Sequence, residues 1–279
     1  MTEHSTGKDK TEYSCQIMVI THKPYEMPKD AIYVPLQVGA ALRKKSSLVP
    51  TYARDDTGEN ISRKNPYYCE LTGLYWAWKN CSADYIGLVH YRRHFRTKHF
   101  VLSRNPLDKV LTGRELQPML GRYKVFVPRR RYYLIETLYT HYEHTHYVEH
   151  LEKTRQIIEE KCPEYLETYD EVMKHRSAHM FNMMIMERSL LDEYCAWLFD
   201  ILFELEKQVD TKSYSYFQGR YCGRVGELIF NVWLEYQQKS GRLSGKDIKV
   251  LPYLYIEKVN WWQKGKKFLR AKFFRVKYE

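Results

Sequence analysis

Apolar positions along this chain fall into runs of two periods, and polar bursts separate them. Residues 14–21 (SCQIMVIT) carry four apolar positions in a row, Ile17 to Ile20, and then break into His22, Lys23 and Pro24. That pattern predicts a buried strand with a polar exit. Residues 31–36 predict a second, short strand. Residues 55–65 (DDTGENISRKN) are dense in turn formers and predict a loop. Pro66 suits a helix start, and residues 68–80 set Leu71, Leu74, Tyr75 and Trp78 at helical spacing. Residues 84–90 run apolar from Tyr85 to Val89 and empty into His90, Tyr91, Arg92, Arg93 and His94. Beyond them the pattern predicts a short helix at 114–120 and a strand at 123–127 stopped by Pro128. One long helix at 134–161 closes at Pro163. A strand-like run follows at 180–186, then helices at 189–209 and 226–238, and a last strand at 247–256 broken by Pro252. Four or five strands alternating with four helices make the chain α/β.

Composition adds bounds. A chain of 279 residues holds one or two domains of about 150 residues. Its 44% hydrophobic and 15% aromatic content supplies a core and excludes a disordered chain. No run of about 18 apolar residues exists to span a bilayer. Residues 1–13 are polar and read as a leader, 14–258 as one domain, and 259–279 as a tail. Six cysteines without a CxxC pair read as reduced, buried thiols.

Charge is uneven. Of the net +11, +6 sits in the last 19 residues, which hold seven Lys/Arg and one Glu. A basic tail on a nearly balanced body argues against a nucleic-acid reader. On a helical projection Trp261, Trp262, Phe268, Leu269, Phe273 and Val276 share one side, with Lys266, Lys267, Arg270 and Lys277 roughly opposite. Such a helix lies on an anionic membrane surface; the alternative is a terminal helix docked on the domain.

Six blocks carry a resemblance: DDTGENIS and KN within 55–65, CELTGLYWAWKN (69–80), DYIGLVHYRRHF (84–95), VPRRRYY (127–133), HMFNMMIM (179–186) and GRVGELIFNVWL (223–234). On these blocks the chain resembles, from about residue 15 to about residue 255, a bacterial glycosyltransferase family of capsule and exopolysaccharide clusters. That family was long catalogued only as a domain of unknown function. The resemblance implies a GT-A-like, Rossmann-type αβα sandwich with a mixed, mostly parallel sheet, and a nucleotide-sugar-dependent transferase. Many GT-A enzymes carry Asp-x-Asp after the central strand to hold Mn²⁺ or Mg²⁺. Here that position reads His90-Tyr91-Arg92. Dications take oxygen ligands, whereas guanidinium neutralises phosphate directly. The expected donor site therefore requires no metal, unless Asp55 or Asp56 brings one.

Site expectations follow from the carboxyl edge of the strands. Arg92 and Arg93 are read as donor-diphosphate ligands, with Arg92 stabilising the leaving group; a solvated basic edge is the alternative. His90 either orients a phosphate or packs. Thr21, His22 and Lys23 leave the first strand where GT-A folds bind the nucleoside. Asp56, Asn60, Ser62, Lys64 and Asn65 are read as donor contacts, with Lys64 toward phosphate, although a plain turn would explain the loop. His179 and Asn182 are read as sugar contacts. Glu227, at the start of an apolar helix, is the candidate general base, or a carboxylate favoured by the helix dipole. His141, His144, His146 and His150 resemble a metal cluster, but scattered surface histidines are the commoner case. The whole predicts a hexose moved from a UDP-sugar to a lipid-linked or cell-surface glycan, on the cytoplasmic face of the plasma membrane. The rival is a non-catalytic, membrane-associated protein that binds glycan or nucleotide.

Overall fold

The computed structural model describes residues 12–43 and 48–257. The tail on which the membrane expectation rests lies outside them, as does nearly all of the leader. Eleven strands and eight α-helices make up the described chain. The strands are β1 (Cys15–Thr21), β2 (Tyr33–Gln37), β3 (Ala53–Arg54), β4 (Tyr85–His90), β5 (Arg93–Phe95), β6 (Val125–Pro128), β7 (Arg131–Tyr132), β8 (Ser177–Ala178), β9 (Met184–Glu187), β10 (Ile248–Leu251) and β11 (Tyr253–Tyr255). The helices are α1 (Asn65–Tyr68), α2 (Leu71–Asn80), α3 (Gly113–Leu116), α4 (Leu138–Thr145), α5 (Glu149–Lys161), α6 (Leu166–Lys174), α7 (Arg188–Gln208) and α8 (Tyr221–Lys239).

The main sheet runs β10-β6-β9-β4-β1-β2-β3, with β5 joining β4 to β11. All pairs from β4 to β3 are parallel, β9 is antiparallel to both its neighbours, and β10 is parallel to β6. β1 and β4 therefore lie inside the sheet. Both are buried along nearly their whole length, as continuous apolar runs in parallel strands require.

Each face of the sheet is covered, giving an α/β sandwich of mixed, mostly parallel type. On one face α2 lies close enough that a side-chain carbon at Gly73 would stand 2.4 Å from Ile20. Its large residues pack outward onto α7: Trp78 stacks on Phe199 at 5.9 Å, and Tyr75 meets Phe199 edge-on at 5.0 Å. Arg188, opening α7, donates to the carbonyls of Trp78 and Cys81, groups that the end of α2 leaves without helical partners. On the other face the Tyr33 and Tyr85 hydroxyls donate to the carbonyls of Leu111 and Tyr123.

Several expected boundaries move. The helix expected at 68–80 is α1 and α2, broken at Cys69, whose φ is 52° and ψ −125°. The long helix expected at 134–161 is α4 and α5, because His146 leaves the helix in extended conformation. Only the last part of the run 180–186 is strand; Phe181 and Asn182 take φ of 79° and 48° before β9 begins. Helix α6 has no counterpart in the periodicity reading. The expected break at Pro252 stands, between β10 and β11.

Candidate active site

The parallel strands bring the exits of β1 and β4 side by side. Ile20 pairs with His90, and the Tyr91 amide donates to the Ile20 carbonyl at 3.1 Å. Thr21 is buried, and its hydroxyl turns back onto the Lys23 carbonyl at 2.6 Å, shaping the exit. Tyr91 and Arg92 form the turn from β4 into β5. His22 meets the Tyr91 ring edge-on at 5.3 Å, and Lys23 lies over it at 5.2 Å. Arg92 flanks the same ring at 5.1 Å.

Arg92 and Arg93 diverge. Arg92 points with Lys23 toward Glu257, at 3.8 and 3.4 Å. Arg93 lies 4.2 Å over the Phe181 ring and 5.6 Å from that of Tyr255. The edge is strongly cationic. Burial first, then the charges of Arg43, Arg92, Lys23 and Arg220, lower the His22 pKa. Burial, then Arg93 and Arg92, hold His90 well below the usual imidazole range. Four buried atoms there have no hydrogen-bond partner among the described residues: His90 Nδ1, Arg92 Nε, Arg93 Nε and Asn182 Oδ1. Unpartnered buried polar atoms are costly, and clustered ones mark a place built for a polar ligand.

The loop at 55–65 has a different anatomy from the expectation. Buried Asp55 accepts from the Gly39 and Ala40 amides at 2.9 and 3.0 Å, the Ser62 hydroxyl at 2.5 Å and the Thr72 hydroxyl at 2.7 Å. Asn65 donates to the Cys69 carbonyl and the Thr72 hydroxyl. Asn60 accepts from the Ser62 amide, and Asp56 takes a bidentate grip from Arg54. Lys64, expected toward phosphate, instead donates to both Glu206 oxygens on α7 at 2.7 Å. The loop is thus an internal staple that fixes β2, β3 and α2 together. Asp55 is engaged by four donors and Asp56 by Arg54. Among the described residues no group of three or more His, Cys, Asp or Glu is placed to hold a metal.

The histidines and the sugar contacts also change places. His179 is buried, bonded through Nδ1 to the Pro128 carbonyl at 2.6 Å, and its backbone exchanges two hydrogen bonds with the Asn231 amide. Burial lowers its pKa to about 4. The residue read from the sequence as a sugar contact thus braces β6 against α8. His141 and His144 share the buried Glu136 carboxylate at 2.8 and 2.7 Å. His150 is held between the Tyr142 and Tyr214 hydroxyls. His146 and His150, both inside the single helix expected at 134–161, lie on either side of the break between α4 and α5.

Beside the cationic edge opens a cavity of about 270 Å³, with Glu70, Arg131, Tyr142, Arg220, Arg224 and Glu227 in its wall. Burial, and then the neighbouring Glu70 charge, push the Glu227 carboxyl up to about 7, against the opposing pull of Arg93, Arg131 and Arg224. Arg93 is therefore felt both by His90 at the strand exit and by Glu227 in the cavity. Behind the wall Asn182 ties two of its residues together, donating to Glu70 at 2.9 Å and to the Gly223 carbonyl of α8 at 3.0 Å. Glu227, read from the sequence as a candidate base, lines this cavity, and Asn182, read as a sugar contact, bonds two residues of its wall. Glu70, Arg131, Arg220 and Arg224 were not singled out, although three of the four lie in quoted blocks and Glu70 is an acidic residue opening an otherwise apolar helix.

A solved apo structure of WbbM, a bifunctional glycosyltransferase, matches this chain with a TM-score of 0.78 and 29% identity, over 88% of this chain and 46% of that one. The chain spans about half the length of that protein. No curated protein matches. A family model described as a domain of unknown function, DUF4422, matches residues 16–239. With the strand exits and the cavity both inside that match, the chain belongs to the DUF4422 family.

Proposed function

We propose that this chain is a hexosyltransferase. It moves a hexose, pyranose or furanose, from a UDP-sugar to a growing cell-surface polysaccharide or lipid-linked oligosaccharide. The observation that carries this reading is Arg93, which links a cationic strand edge to a cavity holding a carboxylate of raised pKa. The likeness to a solved glycosyltransferase over most of the chain supports the same reaction class.

In this reading the UDP diphosphate lies against Arg92 and Arg93, and the nucleoside lies toward Thr21, His22 and Lys23. The acceptor sugar enters the cavity, where Tyr133, Tyr142 and Phe217 offer rings among the charged groups. Glu227 takes the proton of the acceptor hydroxyl as its oxygen bonds to the anomeric carbon. The bond from that carbon to the diphosphate breaks, and the arginines hold the departing charge. A single displacement of this kind inverts the anomeric centre. The guanidinium groups take the part that a dication plays elsewhere, so the reaction requires no added metal. The acceptor reaches the site from the inner face of the plasma membrane.

The test is release of nucleoside diphosphate from a panel of nucleotide sugars, with and without lipid-linked and free oligosaccharide acceptors. Acceptor-stimulated release from a UDP-hexose supports the reading. Tight binding of nucleotide sugars with no turnover across the panel would replace it with a binding protein.

A further inference from the structure

The cavity brings two carboxylates into one wall, and the chain goes to some length to put them there. Glu70 stands at the start of α2, directly after Cys69, whose positive φ ends α1 and redirects the chain. Glu227 stands on α8. The two come together because α8 shows the α1–α2 junction a face without side chains. A carbon added at Gly223 would stand 3.2 Å from both the Cys69 side chain and the Tyr68 carbonyl, and one at Gly226 would stand 2.7 Å from Leu71. The next α8 residue after this flat face is Glu227.

Glu70 is then locked. Asn182, only 3% exposed, spends its amide nitrogen on Glu70 and the Gly223 carbonyl, while its Oδ1 has no partner among the described residues. A helix N-terminus alone would tolerate a carboxylate at residue 70. It would not require an asparagine in left-handed backbone, tied across to α8, to aim it. A buried amide with an unpartnered oxygen at this junction is the mark of a polar ligand to come.

We propose that Glu70 is a positioning residue for the transfer, acting through Glu227: its fixed negative charge keeps the Glu227 carboxylate a competent proton acceptor. The inference rests on the reading of Glu227 as the base. Two carboxylates sharing one site cannot both ionise at their ordinary pKa, so one is raised. A base is most effective when its pKa lies near the working pH. The other charged groups facing Glu227 are Arg93, Arg131 and Arg224, with Arg220, His141 and His146 across the cavity. The three arginines named first pull Glu227 downward. Without Glu70 they would be opposed by burial alone, and the carboxylate would be a weaker base.

The experiment measures the pH dependence of acceptor transfer for the full chain, Glu70→Gln, Glu70→Asp and Glu227→Gln. In the unaltered protein the rate should fall as pH drops through about 7, where Glu227 gains its proton. In Glu70→Gln that acidic limb should move down by about one pH unit or more, the size of shift a close like charge causes. The plateau rate should fall, and the donor KM should hold. Glu70→Asp should keep the limb near its original place. A carbon-13 titration of the glutamate carboxyls, with Glu227 assigned by its absence in Glu227→Gln, needs no Glu70 variant. It should show Glu227 titrating near neutrality. An acidic limb unmoved in folded Glu70→Gln, or a Glu227 carboxyl that titrates in the ordinary range near 4.3, would overturn the role of Glu70. Transfer that persists in Glu227→Gln would instead overturn the base itself.

Discussion

Arg92 and Arg93 are adjacent in sequence and do different things. Residues that leave a strand alternate in direction, and here one guanidinium joins Lys23 over the Tyr91 ring while the other crosses to Phe181 and Tyr255. Replacing either with Ala should lower turnover of a UDP-hexose by about 10²-fold or more, the scale of one lost charge-stabilising donor. Lys should rescue in part, since it keeps the charge without the planar fork. Steady-state kinetics of the four variants test this, and unchanged kinetics in both Ala variants would remove the donor role. Asp55 belongs to stability instead. Asp55→Ala would leave two buried amides and two hydroxyls without their acceptor, at about 1–3 kcal/mol for a buried group left unpaired and more for the set. Urea unfolding should show a loss of about 3 kcal/mol or more. A midpoint within error of the unaltered protein would mean that the loop closes by other means.

Among the elements, α8 decides the shape of the cavity. Its glycine face is visible in the sequence as Gly223 and Gly226, three residues apart on one side of a helix. The partner they receive is not. Gly223→Leu should push α8 off the junction at Cys69. Overpacking of that kind costs about 1–3 kcal/mol, read as a lower denaturant midpoint, and it should weaken acceptor transfer more than donor binding. Equal losses in both would place the helix contact outside acceptor chemistry. The helix breaks at Cys69 and His146 were illegible because periodicity records which side is apolar, not a single residue of unusual φ. Cys69 is the more consequential of the two, since an unbroken helix would carry Glu70 at a different angle. The staple around Asp55 was read as a donor loop for a related reason. Turn-forming residues look the same whether their side chains face a ligand or each other.

For the whole molecule, the sheet edge offers guanidinium groups where a dication would need oxygen ligands, and Asp55 and Asp56 are both engaged. Transfer should therefore persist in EDTA; complete loss restored by Mn²⁺ would sink the metal-independent reading. No helix among the described residues is long and apolar enough to cross a membrane. Membrane contact is then expected from the basic aromatic tail, where each Lys or Arg near an anionic surface adds about 1 kcal/mol, screened by salt. Full-length chain should sediment with anionic liposomes at low salt, and a chain ending at Asn260 should not. Equal binding of the two, or none by either, would exclude the tail as an anchor.

By itself the sequence determined the class of fold and which strand exits carry the cationic groups. Long apolar runs such as 17–20 and 85–89 have no stable place except inside a covered parallel sheet. A buried strand that ends in His-Tyr-Arg-Arg puts those groups at the sheet's carboxyl edge wherever the strand lies. Strand order, the antiparallel insertion of β9, and the meeting of Glu70 with Glu227 were decided by tertiary structure. Those features depend on contacts between residues far apart in the chain, such as Val125 with Met186 and Tyr85 with Glu187, and no local pattern encodes which pairs will meet. Lys64 shows the consequence most simply. Its charge was legible in the sequence, but Glu206, its partner, is 142 residues away and became its neighbour only when α7 packed against α1.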